Sequence, residues 1–246
     1  MRAFAPCAVM LGLFVSDGTT GNRAPPAAPA DATPKVQEPA PKSPVPEDAT
    51  VYHTLAGGEA QVLFTTDAPL EKLSGKSNQV VGYAVSGPKD HPERLRGGVW
   101  LLPVDSLATG IPLRDEHLAG PDWLDAREHP TIEFELLRVE DVEQVKAGEG
   151  FSTWDAALVG TMTVHGKSKE VRIAGTRLTL FAESEKTKAI APGDLLFIKC
   201  SYSIHLSDYG VTNKDIPKKV SDTVAISEIL RLSTKVAETQ KTEPSK

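Results

Sequence analysis

The sequence is poor in cysteine, carries no surplus of positive charge and has no apolar run long enough for a membrane-spanning helix. Its two cysteines are Cys7 and Cys200, and Cys7 lies in a segment that we expect to be removed on export. A single remaining thiol excludes a disulfide framework. The net charge of −6 and the lack of a basic stripe argue against nucleic acid as a partner.

Cys200 lies in the middle of a stretch that is typical of a β-strand, Ile198–Tyr202. A small buried hydrophobic side chain is the interpretation that we favour for it. A reactive thiol is the alternative.

The N-terminus has the features of an export signal. Met1 and Arg2 precede a run of about a dozen mostly apolar residues from Ala3 to Val15, whereas a membrane span needs about twenty. Residues 1–23 are therefore predicted to be an export segment, which places the mature protein in the periplasm or outside the cell. If residues 1–15 are not an export signal, the protein is cytoplasmic.

Residues 24–50 are rich in proline and alanine and contain almost no large apolar side chain. Such a composition predicts a disordered, semi-stiff linker. It would tether the following domain near a membrane, or else serve only as a disordered leader. A barrel domain is expected over residues 51–236, with a short disordered tail at 237–246.

Alternation of apolar and polar residues predicts about eight strands. These strands do not alternate with helices along the chain, which favours an antiparallel all-β fold. A short turn or helix is expected at Leu70–Leu73, a helical insertion at residues 112–126, and a tight turn shaped by His165. Eight strands closed into a barrel leave room for one elongated ligand. The predicted strands are Ala60–Thr66, Val80–Gly87, Gly98–Val104, Thr131–Val139, Asp155–His165, Glu170–Phe181, Leu195–Leu206 and Thr223–Leu232.

Several motifs, in a fixed order, carry a family resemblance. They are Ser106–Gly110, Arg114–Leu118, Asp122–Asp125, His129–Phe134, the hairpin pattern Gly160–Lys169, Tyr209–Gly210 and Val220–Val224. Together they resemble the YceI-like family of lipid- or polyisoprenoid-binding proteins over roughly residues 52 to 234.

This resemblance implies an extended eight-stranded antiparallel barrel, lipocalin-like in shape, with an apolar interior tunnel. It also implies non-enzymatic binding, transport or sequestration of a long-chain apolar lipid such as an isoprenoid quinone or polyprenyl species. No cofactor is expected apart from that lipid. A homodimer is one assembly that the sequence allows.

The tunnel hypothesis needs inward-facing side chains from many strands. If they instead fill a solid core, the barrel is an interaction module. One polar residue, Arg114, is included among the predicted ligand-binding residues because a guanidinium group suits a phosphate head group. The predicted ligand-binding residues are Phe64, Leu102, Arg114, Phe134, Leu136, Met162, Val164, Ile198, Tyr202, Val224 and Ile226.

A polar cluster in the helical insertion supports an enzyme as the competing hypothesis. Asp115 would orient His117 as a base for a hydrolase or isomerase, but no Gly-x-Ser-x-Gly motif accompanies them. We favour a structural network that holds the insertion on the barrel. His117 and His129 with Asp122 or Asp125 match no standard zinc signature, so no metal site is predicted.

Overall fold

Ten β-strands and one α-helix form the part of the chain that the structure, a computed structural model, describes: residues 36–56 and 60–235. The predicted export segment, the first part of the predicted linker and the predicted tail lie outside these residues. The helix is α1 (Pro112–Ala119), and 3₁₀ turns lie at Val104–Ser106, Thr187–Ala189 and Leu206–Tyr209. The strands are β1 (Val51–Thr54), β2 (Val62–Asp67), β3 (Lys72–Ser77), β4 (Val81–Val85), β5 (Gly97–Pro103), β6 (Thr131–Gly148), β7 (Phe151–Val164), β8 (Lys167–Phe181), β9 (Leu195–His205) and β10 (Thr223–Ser233).

The strands form a closed antiparallel barrel. From β4 to β10 the neighbours follow the order β4-β5-β6-β7-β8-β9-β10, and β1 closes the circle by pairing with both β4 and β10. β2 pairs with the first half of β10, and β3 pairs with β2. Since β1 and β2 share β10 as a neighbour, they act as one interrupted strand, and β3 and β4 act as another. The barrel therefore has eight strand positions, as predicted.

Two of the ten strands were not predicted. β1 has only four residues, and β3 was mistaken in part for a turn or helix at Leu70–Leu73. β3 has a single large apolar side chain, Leu73, so its pattern is weak. Backbone pairing to β2 holds it instead, and a Cβ at Gly75 would lie 2.2 Å from the ring of Phe64. The prediction of a turn or helix at Leu70–Leu73 was therefore wrong, because β3 begins at Lys72.

The helical insertion is shorter than the predicted residues 112–126. Pro112 occupies the first turn of α1, where its missing N–H costs no hydrogen bond. Gly120 and Pro121 then end the helix, because proline cannot continue it. The residues that follow, up to Glu128, form turns. One of these turns is closed by a backbone hydrogen bond of 2.7 Å from the His129 N–H to the Asp125 carbonyl.

No helix in the described ranges is long and apolar enough to cross a membrane.

His165 and Gly166 form the two-residue turn between β7 and β8, which confirms the predicted tight connection. Both have positive φ angles, 48° and 69°. A type I′ turn requires positive φ at both central residues and matches the twist of the flanking strands. A side chain at Gly166 would also collide with the ring of His129.

Apolar side chains inside the barrel form two clusters. One lies toward the β6–β7 hairpin and contains Leu178, Leu196 and Leu232, whose side chains are all fully buried. The other lies toward α1 and contains Leu124 and Met162. The interior is thus predominantly apolar along the barrel.

Residues 36–50, the second part of the predicted linker, follow the outer wall without helix or strand. The Lys42 ammonium bonds to Glu133 at 2.9 Å and Glu135 at 2.7 Å. Arg96 donates two hydrogen bonds to Asp48, each of 2.8 Å. This segment is therefore attached to the barrel, and the linker prediction for residues 24–35 lies outside the described residues.

Adjacent leucines on β6 test the inward–outward alternation. Leu136 is 3% exposed and Leu137 is 44% exposed. We expect Leu136→Ala to lower the free energy of unfolding by about 2–5 kcal/mol, because it removes buried contacts and leaves a void. Leu137→Ala is the matched control and should change it by less than about 1 kcal/mol. Urea denaturation measures both, and equal losses would contradict the inward assignment.

Candidate functional site

A cavity of about 470 Å³ occupies the barrel interior. Its volume falls in the range of about 300–1,000 Å³ typical of ligand pockets. Apolar side chains from β2, β5, β6, β7, β9 and β10 form most of its wall. The barrel is therefore hollow here, which removes the alternative of a solid core.

All but one of the predicted ligand-binding residues line this cavity. The exception is Leu136, which is buried in the cluster toward the β6–β7 hairpin, farther along β6 than Phe134. Alternation along a strand predicts which face a side chain takes but not its depth in the barrel. The residues on the wall are Phe64, Leu102, Arg114, Phe134, Met162, Val164, Ile198, Tyr202, Val224 and Ile226.

The cavity opens at the α1 end, and packed leucine side chains occupy the other end of the barrel. Exposed or half-exposed polar side chains line the opening, among them His117 and Lys219. At the opposite end the fully buried side chains of Leu178, Leu196 and Leu232 fill the barrel and do not reach the cavity wall. A ligand would therefore enter and leave past α1.

The polar cluster of α1 does not form a base-orienting pair. Asp115 Oδ1 accepts hydrogen bonds from the Thr109 N–H at 2.8 Å and the Thr109 hydroxyl at 2.5 Å. Arg114 forms an ion pair with Glu71 across the opening. These contacts attach the helix to the chain around it, so the structure favours the network that holds the insertion in place.

A half-buried carboxyl group that faces the cavity was missed by the sequence prediction. Glu228 lies on β10 in phase with the inward residues Ile226 and Leu230, and its side chain is part of the cavity wall. Its Oε1 accepts a hydrogen bond from the Tyr202 hydroxyl at 2.7 Å, and the Cys200 thiol lies 3.7 Å from its Oε2. The signal was present in the sequence as one acidic residue in an otherwise apolar row.

Burial shifts the pKa of this group. Removal from water raises the pKa of Glu228 above its ordinary value of 4.5, while the bonds from Tyr202 and Cys200 lower it by less. Burial first, and then the nearby Glu228, raise the pKa values of Cys200 and Tyr202. Cys200 is 3% exposed and thus a buried thiol, as predicted.

Among residues 36–56 and 60–235, two further polar atoms of side chains that form the cavity wall have no hydrogen-bond partner. They are the indole Nε1 of Trp100 and the hydroxyl of Thr66, whose residues are 5% and 4% exposed. Buried polar groups in proteins are nearly always hydrogen-bonded. The Nε1 and Oγ1 atoms are themselves inaccessible to solvent, so they stay unsatisfied inside the wall and are not presented to the cavity.

Within residues 36–56 and 60–235, no three His, Cys, Asp or Glu side chains are grouped to hold a metal ion.

The YceI-like domain profile matches residues 53–230. This match covers more than half of the chain, so the protein belongs to the YceI-like family. No curated protein matches the sequence.

Solved structures with a similar fold include three bacterial proteins. BcnA of Burkholderia cenocepacia is 18% identical with a TM-score of 0.52, covering 70% of this chain and 95% of its own. A polyisoprenoid-binding domain from Saccharophagus degradans, implicated in plant cell wall breakdown, is 11% identical with a TM-score of 0.49, covering 75% and 98%. The YceI protein of Campylobacter jejuni is 16% identical with a TM-score of 0.46, covering 65% and 84%. The likeness to BcnA supports the barrel fold.

The raised pKa of Glu228 makes stability depend on pH. Between the unfolded and folded pKa values the native state binds more protons than the unfolded state, so the free energy of unfolding falls as pH rises. We expect Glu228→Gln to abolish this fall. The stability of the variant relative to wild type should then be constant at low pH and increase as pH rises above the ordinary carboxyl value of 4.5.

Urea denaturation at several pH values between about 4 and 8 measures this difference. Glu143→Gln is the matched control, because Glu143 lies exposed on the outer part of β6. Parallel stability curves for wild type and Glu228→Gln would show that Glu228 titrates as it does in the unfolded chain.

Proposed function

We propose that this protein binds a long-chain apolar lipid of the polyisoprenoid class inside the barrel and carries or sequesters it without catalysis. The observation that carries this proposal is the apolar cavity of about 470 Å³ inside the barrel, which opens past α1. A chain-like lipid fits such a shape lengthwise. Membership in the YceI-like family supports the same function.

Apolar burial supplies the binding energy. Each buried carbon group contributes about 0.8 kcal/mol, so one five-carbon isoprene unit contributes up to about 4 kcal/mol. Association costs about 4–15 kcal/mol in lost freedom of motion. A few buried units are enough to offset this cost, and no catalytic group is needed for the function.

The contacts of α1 weigh against the hydrolase or isomerase alternative. A general base needs a partner that orients its ring. The carboxylate proposed for that task, Asp115, is bound to Thr109 instead of His117. His117 lies on the exposed surface of the opening, where it serves as part of the rim.

We further propose that the protein acts outside the cytoplasm and close to a membrane. The apolar run that follows Arg2 supports export. The proline-rich residues 24–35 would act as the tether, since residues 36–50 are attached to the barrel wall by Lys42 and Asp48. A membrane supplies lipids of the proposed class at high local concentration.

Organic extraction of protein purified from its own cells, followed by mass spectrometry, tests the proposal. A co-purified prenyl lipid, or uptake of one by the emptied protein, is the expected result. Protein that arrives empty and takes up no prenyl lipid would overturn it.

A tryptophan placed inside the cavity gives a second test. Ile226 faces inward on β10, and its neighbour Ala225 faces outward and is exposed. We expect Ile226→Trp to fill the cavity and lower the amount of bound lipid at least about tenfold, since displaced isoprene units lose their burial. Ala225→Trp should retain wild-type binding. Equal binding by both variants would place the lipid outside the barrel.

A further inference from the structure

The inward row of β10 contains one residue that a purely hydrocarbon ligand does not require. Val224, Ile226, Glu228, Leu230 and Leu232 alternate with outward residues, and Glu228 alone among them is polar. A carboxyl group in an apolar interior is costly unless it is hydrogen-bonded. Leucine at this position would serve a simple chain better, so Glu228 points to a polar group on the ligand.

The hydrogen bonds recorded for Glu228 leave capacity for a ligand. Tyr202 donates to Oε1 at 2.7 Å, and the sulfur of Cys200 lies 3.7 Å from Oε2 as a weak partner. A neutral carboxyl has one O–H donor besides its acceptor oxygens, and a tyrosine hydroxyl that donates can still accept. With the carboxyl protonated, the pair can give a hydrogen bond to a ligand oxygen, and in either protonation state it can take one from a ligand hydroxyl.

The charges around the cavity decide whether a charged or a neutral oxygen group of a ligand fits beside Glu228. A phosphate or diphosphate would lose its hydration beside a carboxyl group in an apolar interior, and the partners recorded for Glu228, Tyr202 and Cys200, are not cations. A hydroxyl or a carbonyl has no net charge and can use the donors and acceptors already present. The wall therefore suits a neutral oxygen.

We propose that Glu228 and Tyr202 form an interior subsite that binds the neutral polar end of the lipid, a hydroxyl or carbonyl group, by hydrogen bonds. This inference rests on the proposed function, since it assumes a lipid in the cavity. The lipid enters with its polar end first, and its chain extends along Ile226 and Phe64 toward the opening past α1.

Three probes with the same branched twenty-carbon skeleton test the subsite: geranylgeraniol, its diphosphate, and the corresponding hydrocarbon without oxygen. Wild type should bind the alcohol about tenfold more tightly than the hydrocarbon, the effect of about one net hydrogen bond to a buried partner, and more tightly than the diphosphate. Intrinsic tryptophan fluorescence, to which the wall residues Trp100 and Trp123 both contribute, reports binding by all three.

Variants separate hydrogen bonding from packing. Glu228→Leu should abolish the preference for the alcohol and leave hydrocarbon binding equal or stronger. Glu228→Gln should retain most of the preference because an amide still donates and accepts, and Tyr202→Phe should reduce it. Ala225→Leu, an exposed change on the same strand, is the control and should bind as wild type does. Thermal unfolding confirms that each variant is folded.

The outcomes distinguish the two proposals. If wild type binds none of the three probes, the lipid-binding function fails and the subsite fails with it. If wild type binds the alcohol and the hydrocarbon equally, or if Glu228→Leu keeps the preference, the cavity holds lipid but the subsite is absent. Tightest binding of the diphosphate would overturn the choice of a neutral polar end.

Discussion

Closure of the sheet between β1 and β10 is the constraint on which the rest of the structure depends. An eight-stranded barrel encloses a space just wide enough to be filled by side chains or to hold one small ligand. Leu178, Leu196 and Leu232 fill that space at one end. Toward α1 the inward side chains leave it open. The fold thus fixes the diameter of the interior, and individual side chains decide where along it a ligand can lie.

The sequence predicted the wall of the cavity well, because facing inward is a local property of a strand with period two. Depth along the barrel is not local, and for this reason Leu136 was placed on the wall although it lies in the filled part. β3 was missed for a related reason. Its contribution is backbone pairing with β2, which depends on a partner strand and leaves little trace in its own side chains.

Glu228 shows the same limit at the candidate site. Its place in an apolar row of β10 can be seen in the sequence, and that row alone would have identified an inward carboxyl. Its partners cannot be seen there, since Tyr202 and Cys200 reach it only through the register of β9 against β10, in which Cys200 is paired with Glu228 and Tyr202 with Ile226. A chemical role for an inward polar residue therefore needs the register as well as the pattern.

Two places in this barrel could bind the polar end of a lipid, and they differ in what they offer. At the opening Arg114 is already paired with Glu71, and both are partly exposed, so water and salt weaken any attraction to an anion. In the interior Glu228 and Tyr202 are partly buried among apolar side chains, where a hydrogen bond is stronger and an unpaired group more costly than at the rim. Selectivity between ligands is therefore greater in the interior than at the rim. An uncharged polar end gains from this setting, whereas a phosphate would lose its hydration there.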